Sequence, residues 1–208
     1  MYNPIHTLLN TLVSSSRNRR APLVNRLVAL IICGATMALG LIPQAKAQMN
    51  VPALSQRDGR WASHQLGRNV PSSTLGNRGC AVTCIAMERS YFYGSLIDPA
   101  YMNDWLLSNG GFYNDLVIFS AVRGFAGSRD YSRTAADLNY INTLLDHGYL
   151  VIAMTYFPPS RTTTHFVLIT GHSGYTYYIN DPWTGYKTTF NSQYGDPGRW
   201  IYSINYFH

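Results

Sequence analysis

Apolar residues change their spacing twice along this chain. Between residues 27 and 41 they run almost unbroken. From residue 80 to about 93 they recur at helical spacing, with Ala81, Val82, Ile85, Ala86 and Met87 predicting one buried face. Asp98-Pro99 reads as an N-cap followed by proline at the first helical position, opening a helix over 98–107 that Gly110-Gly111 stops. Asn114 or Asp115 is expected to cap a third helical stretch ending near Gly124. Thr134-x-x-Asp137 resembles a capping box whose helix runs to His147-Gly148. Beyond it, residues 149–157, 164–170, 175–179, 186–190 and 200–206 are rich in Tyr and β-branched side chains and predict strands. Helices followed by an antiparallel meander predict an α+β domain in which the first helix faces the sheet. Residues 48–79, rich in Gly, Ser, Asn and Arg, predict an extended lead-in.

The first apolar run has a different meaning. It follows Arg17, Arg19, Arg20 and Arg26, ends at Pro43, and is succeeded by Ala45-Lys46-Ala47. A basic segment, an apolar segment and a small-x-small site predict a secretory signal peptide over 1–47, cleaved to leave Gln48 first. The run contains Gly34 and Gly40 and is shorter than the ~20 apolar residues of a spanning helix, which makes an uncleaved membrane anchor the lesser alternative. Arg19-Arg20 is a weak twin-arginine signal, because Pro22 stands where that signal carries an apolar residue. The expected location is secreted or periplasmic, with no membrane attachment after cleavage.

Removing the leader changes the charge. The chain has 16 Lys+Arg and 10 Asp+Glu, and five of the basic residues lie in 1–47, so the remainder carries 11 against 10. A net +1 leaves no basic face for nucleic acid. Residues 48–208 suffice for one domain with its own core, expected to be a monomer.

Cys33 leaves with the leader, so Cys80 and Cys84 remain. Four apart on a helix, they are poorly placed for a disulfide. A free thiol in an exported protein calls for an explanation, which a catalytic role supplies; two small buried cysteines are the plainer reading of the spacing alone. Gly79-Cys80 opens the first long helix, where the dipole and free N–H groups favour thiolate. Cys84, one turn deeper, is expected to be packed and inert.

A thiolate needs a base. His64 lies in the lead-in, His147 at a helix end, His172 in a turn and His208 at the terminus. His165 alone begins a strongly apolar strand, Phe166-Val167-Leu168-Ile169, where a sheet would pin it. A helix-initial Cys80 together with His165 predicts nucleophile and base; a hydrogen-bonded core histidine is the plainer reading of His165 alone. A third residue must orient the imidazole through its Nδ1–H. A three-residue hairpin loop, His172-Ser173-Gly174, with glycine at the positive-φ position, brings Asp181 opposite His165. A four-residue loop would bring Asn180 there instead. Asp181 is the expected orienter, with Asn180 as the alternative. The oxyanion of acyl transfer also needs donors. The Cys80 N–H is one, and Gln56 or Gln65 of the lead-in is the other. This chemistry requires no cofactor and no metal.

Four segments together resemble one family. Ser55-Gln56-Arg57-Asp58-Gly59-Arg60-Trp61 resembles a Gln-x-Asp-x-x-Trp block, and 73–87, with Gly79-Cys80 and Thr83, resembles a Thr-Ile-Gly-x-x-Gly-Cys-x-x-Thr-x-x-Ala-Met block. His165-Phe166-Val167-Leu168-Ile169-Thr170-Gly171 and Asn180-Asp181-Pro182-Trp183 resemble the matching His and Asp segments. All four belong to the stand-alone secreted relatives of the double-glycine, bacteriocin-processing leader peptidases, which are papain-like. The resemblance implies a papain-like fold with Cys80 as nucleophile, His165 as base, Asp181 as orienter and Gln56 as oxyanion donor. Many relatives carry Cys-Gly-Pro where this chain has Cys80-Ala81-Val82. Nothing here matches a transporter or nucleotide-binding domain, so cleavage after Gly-Gly is not carried over. The expected function is an exported cysteine peptidase acting on a peptide or protein. One alternative is an NlpC-type cell-wall endopeptidase or amidase acting on peptidoglycan stem peptides, which Asp181 in place of a second His disfavours. The other is a silent binding module with a groove of Tyr175, Tyr177, Tyr178 and Trp183.

Overall fold

The computed structural model describes residues 48–125 and 130–208. The predicted leader, 1–47, lies outside the described residues. The lead-in is held by scattered hydrogen bonds up to α1 (Leu75–Arg78), which Thr74 and Asn77 open with a reciprocal capping box. Helix α2 (Cys80–Tyr93) follows at once, and α3 (Pro99–Ser108) begins as predicted, with the Asp98 side chain accepting from the Tyr101 N–H. The α1–α2 junction needs Gly79. A Cβ there would run into the Leu75 carbonyl oxygen and stand 2.8 Å from the Leu75 Cα.

The third predicted helix is replaced by a hairpin, β1 (Phe112–Tyr113) and β2 (Leu116–Val117), and then a 3-10 helix, Phe119–Gly124. Asn114, with φ +56°, makes the tight loop rather than a cap. Asp115 accepts from Ser73 Oγ at 2.6 Å and pairs with Arg78 at 3.1 Å. Thr134 is likewise not a cap. It lies in an unforeseen strand, β3 (Tyr131–Ala135), and Asp137 alone caps α4 (Leu138–Asp146) by accepting from the Tyr140 N–H.

The remaining strands are β4 (Val151–Tyr156), β5 (Thr164–Ser173), β6 (Thr176–Asp181), β7 (Tyr186–Thr189) and β8 (Ser203–Phe207). Between β7 and β8 lie α5 (Phe190–Tyr194) and α6 (Pro197–Trp200). The sheet order is β3-β8-β4-β5-β6-β7, antiparallel at every pair. The meander β4 to β7 is as predicted. The last strand departs from it, returning across the sheet to pair with β4. Thr189 ends β7 by capping α5, accepting from the Ser192 N–H, and so starts the chain on that return.

Both faces of the sheet are covered. Leu150, Ile152, Leu168 and Phe207 pack with Val82, Ile85, Met87, Met102 and Leu106 of α2 and α3. Val151, Ala153, Val167, Ile169 and Ile179 pack with Ile141, Leu144 and Leu145 of α4 and with Phe190 and Tyr194 of α5. The architecture is α+β and papain-like, with the cysteine at the start of a helix laid on the antiparallel sheet. Among the described residues no helix is long and apolar enough to cross a membrane.

Candidate active site

The register of β5 and β6 decides which side chain meets His165. Ser173 pairs with Thr176, so the hairpin loop is the two residues Gly174-Tyr175 and not the three that the sequence reading assumed. Glycine leads such a loop because its first position takes positive φ, here +58°. Carried on unchanged, this register would set Asp181 opposite Leu168, on the face turned to α2. A bulge at Thr170 intervenes, between the pairs Ile169–Ile179 and Gly171–Tyr178. Leu168 then faces Asn180, and Asp181 falls on the face of Val167 and His165. Asp181 thus meets His165, by a register other than the expected one.

His165 Nε2 donates to Asp181 Oδ1 at 2.9 Å. This corrects the expected nitrogen, which was Nδ1. The Trp183 N–H donates to the same oxygen at 2.9 Å, and the Tyr194 hydroxyl donates to Oδ2 at 2.8 Å. Rings fix the imidazole as well: Phe157 stacks on it with centroids 4.2 Å apart, and Tyr194 at 5.9 Å. His165, Asp181 and Tyr194 are each 1% exposed. Asn180, the alternative, turns the other way and donates from Nδ2 to the carbonyls of Val51 and Pro52 at 3.3 and 3.1 Å. Its role is to tie down the lead-in.

Cys80 stands half-buried at the first position of α2. Its Sγ donates to the Arg78 carbonyl over a long 4.0 Å, and His165 and the N–H groups of Ala81 and Phe166 are placed to favour its charged form. Burial pushes the thiol up, but the His165 bond and charge, with those two N–H groups, outweigh it, and the thiol ionises below its ordinary value. Burial pushes His165 down, and its bonds to Asp181 and Cys80 reverse that, raising it to about 9. Asp181 is lifted by burial and brought below its ordinary range by the bond from His165. All three shifts favour a thiolate beside an imidazolium. Cys84, fully buried beneath, is pushed well above an ordinary thiol by desolvation.

Gln56 is 1% exposed. Its N–H donates to the Pro182 carbonyl at 2.8 Å and its Nε2 to the Gly76 carbonyl at 3.1 Å, between the Asp181 loop and the turn leading to Cys80. Gln65 is exposed and bonds within its own turn, to the Val70 carbonyl at 3.0 Å. His147 and His172 have local partners. His147 Nδ1 lies 2.7 Å from the Thr143 carbonyl, and His172 bridges the Gly174 carbonyl and Asp146. Tyr194, Phe157 and Trp183 are site residues that sequence reasoning did not place at His165. The only signal for Tyr194 is the Thr189 cap that turns the chain into α5.

A binding groove of Tyr175, Tyr177, Tyr178 and Trp183 does not form in one place. Tyr177 is buried under α4, where its hydroxyl donates to the Leu138 carbonyl, and Tyr175 donates to Asn139 from the exposed hairpin loop.

No curated protein matches the chain. Among solved structures, one described as a crystal structure of a proposed C39-like peptidase from Bacillus anthracis aligns over 77% of this chain and 98% of its own, at 15% identity and a TM-score of 0.48. The model of the Peptidase_C39 like family matches residues 48–204, and the chain belongs to that family.

Proposed function

We propose that this peptidase is a cysteine enzyme, exported through its 1–47 leader, that cuts peptide bonds by way of a thioester on Cys80. The observation that carries the reading is His165 bonded to a buried carboxylate that three donors hold, beside a helix-initial Cys80 whose thiol His165 brings below its ordinary value. Cys80 thiolate attacks the scissile carbonyl. The oxyanion forms against the Cys80 N–H and the Gln56 amide hydrogen that is not committed to Gly76. The tetrahedral intermediate collapses, the C–N bond breaks, and the His165 imidazolium gives its proton to the leaving amine. Neutral His165 then takes a proton from water, the hydroxide adds to the thioester, and thiolate leaves as the acid product forms. Asp181 keeps the ring oriented and its charged form favoured throughout.

Iodoacetamide alkylation followed across pH by peptide mapping tests the assignment. Cys80 is expected to react fast well below the ~8.5 of an ordinary thiol, and Cys84 to stay unmodified in the folded protein. Equal rates at the two cysteines would refute it.

A further inference from the structure

Two arginines of the lead-in stack on tryptophans, and only one of them has a carboxylate. Arg60 lies 4.3 Å from the Trp61 ring centroid, and its Nε and Nη2 donate to Asp58 at 2.9 and 2.7 Å. Arg57 lies 4.5 Å from the Trp183 centroid, is exposed, and has no carboxylate partner among the described residues. Its platform belongs to the site. The Trp183 N–H bonds Asp181 Oδ1, and the indole meets Phe157 edge-on at 5.2 Å, the same ring that stacks on His165. On the other side Arg57 adjoins Gln56, anchored to Pro182 and Gly76. Two rings, Trp183 and Phe157, therefore separate the free guanidinium from the His165 imidazole.

Stacking leaves the N–H edge of a guanidinium open and fixes its rotamer before a ligand arrives. That edge matches a carboxylate in two-point geometry. In Arg60 the same posture is already satisfied from within by Asp58. We infer that Arg57, held on Trp183, determines specificity by taking a carboxylate of the peptide substrate. The carboxylate is either an acidic side chain near the scissile bond or a free C-terminus. The inference rests on the cleft assigned above.

The mature chain carrying Cys80→Ala is titrated calorimetrically with short peptides of roughly five residues, in pairs that differ only as Glu against Gln at one position or as C-terminal acid against amide. At one position the acidic member is expected to bind about fivefold more tightly, the upper range for an exposed ion pair. The advantage should shrink at roughly 0.5 M salt, vanish in Arg57→Gln and persist in Arg60→Gln. A Glu advantage identifies a side-chain carboxylate, and an acid-over-amide advantage a C-terminus. A ratio of one in every pair, or a preference that survives Arg57→Gln, overturns the inference, and so does failure of every peptide to bind. The same pairs built as thiol-reactive probes report on Cys80 in the unsubstituted protein. Fast labelling without preference overturns the Arg57 inference and leaves the nucleophile standing. Silence of all probes, with the calorimetric preference intact and lost in Arg57→Gln, does the reverse.

Discussion

Asp181→Asn separates charge from contact at the site. The carboxylate receives His165 Nε2–H and the Trp183 N–H on Oδ1 and the Tyr194 hydroxyl on Oδ2. Asparagine can keep its carbonyl at the Oδ1 position, and its amide can donate to Tyr194 once that hydroxyl rotates to accept. Every contact survives and the negative charge is gone. Burial alone would lower His165, yet it stands at about 9 against an ordinary 6.5 because Asp181 and Cys80 hold its proton. That difference amounts to roughly 3 kcal/mol. With Cys80 still contributing its share, loss of the Asp181 charge should weaken the thiolate–imidazolium pair by about tenfold. The assay is the second-order rate of Cys80 alkylation by iodoacetamide. At pH 7 the variant should react about tenfold more slowly than the unsubstituted chain. The two rates should converge above pH 9, where the thiol ionises without help from the imidazolium. Equal rates at pH 7 would refute the reasoning. So would an equal deficit at every pH, which would mean damage to the fold and not loss of a charge.

Two further predictions concern groups outside the chemistry. Glu88 is fully buried in α2, and burial, opposed by Arg89, raises its carboxyl from 4.5 to about 7. A raised folded value means that its contribution to stability is complete below pH 4.5 and lost as pH rises through 7; in denaturant unfolding, Glu88→Gln should therefore gain about 3 kcal/mol relative to the parent between pH 4.5 and 8.5, and a constant difference across that range would contradict it. Asn180→Ala should leave the pH profile of Cys80 alkylation within about twofold of the parent but cost about 1–3 kcal/mol of unfolding free energy, because the Val51 and Pro52 carbonyls lose their donor; slow alkylation with undiminished stability would return Asn180 to the role of orienter.

The helix that presents the thiol was legible because three independent signals agree there: apolar spacing over 80–93, a preceding glycine, and a second cysteine that the spacing forbids from bridging. His165 was legible because only that histidine precedes an unbroken apolar strand. Asp181 was reached by an argument that the structure overturns. The assumed loop was one residue too long, and the bulge at Thr170, which restores the face, leaves no mark in the sequence, since Thr in a β-rich run reads as ordinary strand. Strand β3 escaped because Tyr-Ser-Arg-Thr-Ala at a sheet edge has only its first two positions partly covered and no apolar alternation. Tyr194 is one of 16 tyrosines, and what singles it out is its distance to Asp181, a contact made only once α5 folds back on the sheet. Gln56 and Gln65 were indistinguishable in a polar lead-in. Burial separates them, and burial there depends on Asn180 and Pro182 from the far end of the chain.

The central claim is that the acyl group passes through Cys80, and the direct measurement is rapid-quench mass spectrometry of the mature protein with a peptide that it cleaves. An adduct with the mass of the acyl half of the peptide should appear within the first turnover, map to Cys80, be released by hydroxylamine, and be absent in Cys80→Ala, which should also fail to cleave. Cleavage that proceeds undiminished in Cys80→Ala, or an adduct that maps to Cys84, would contradict the account.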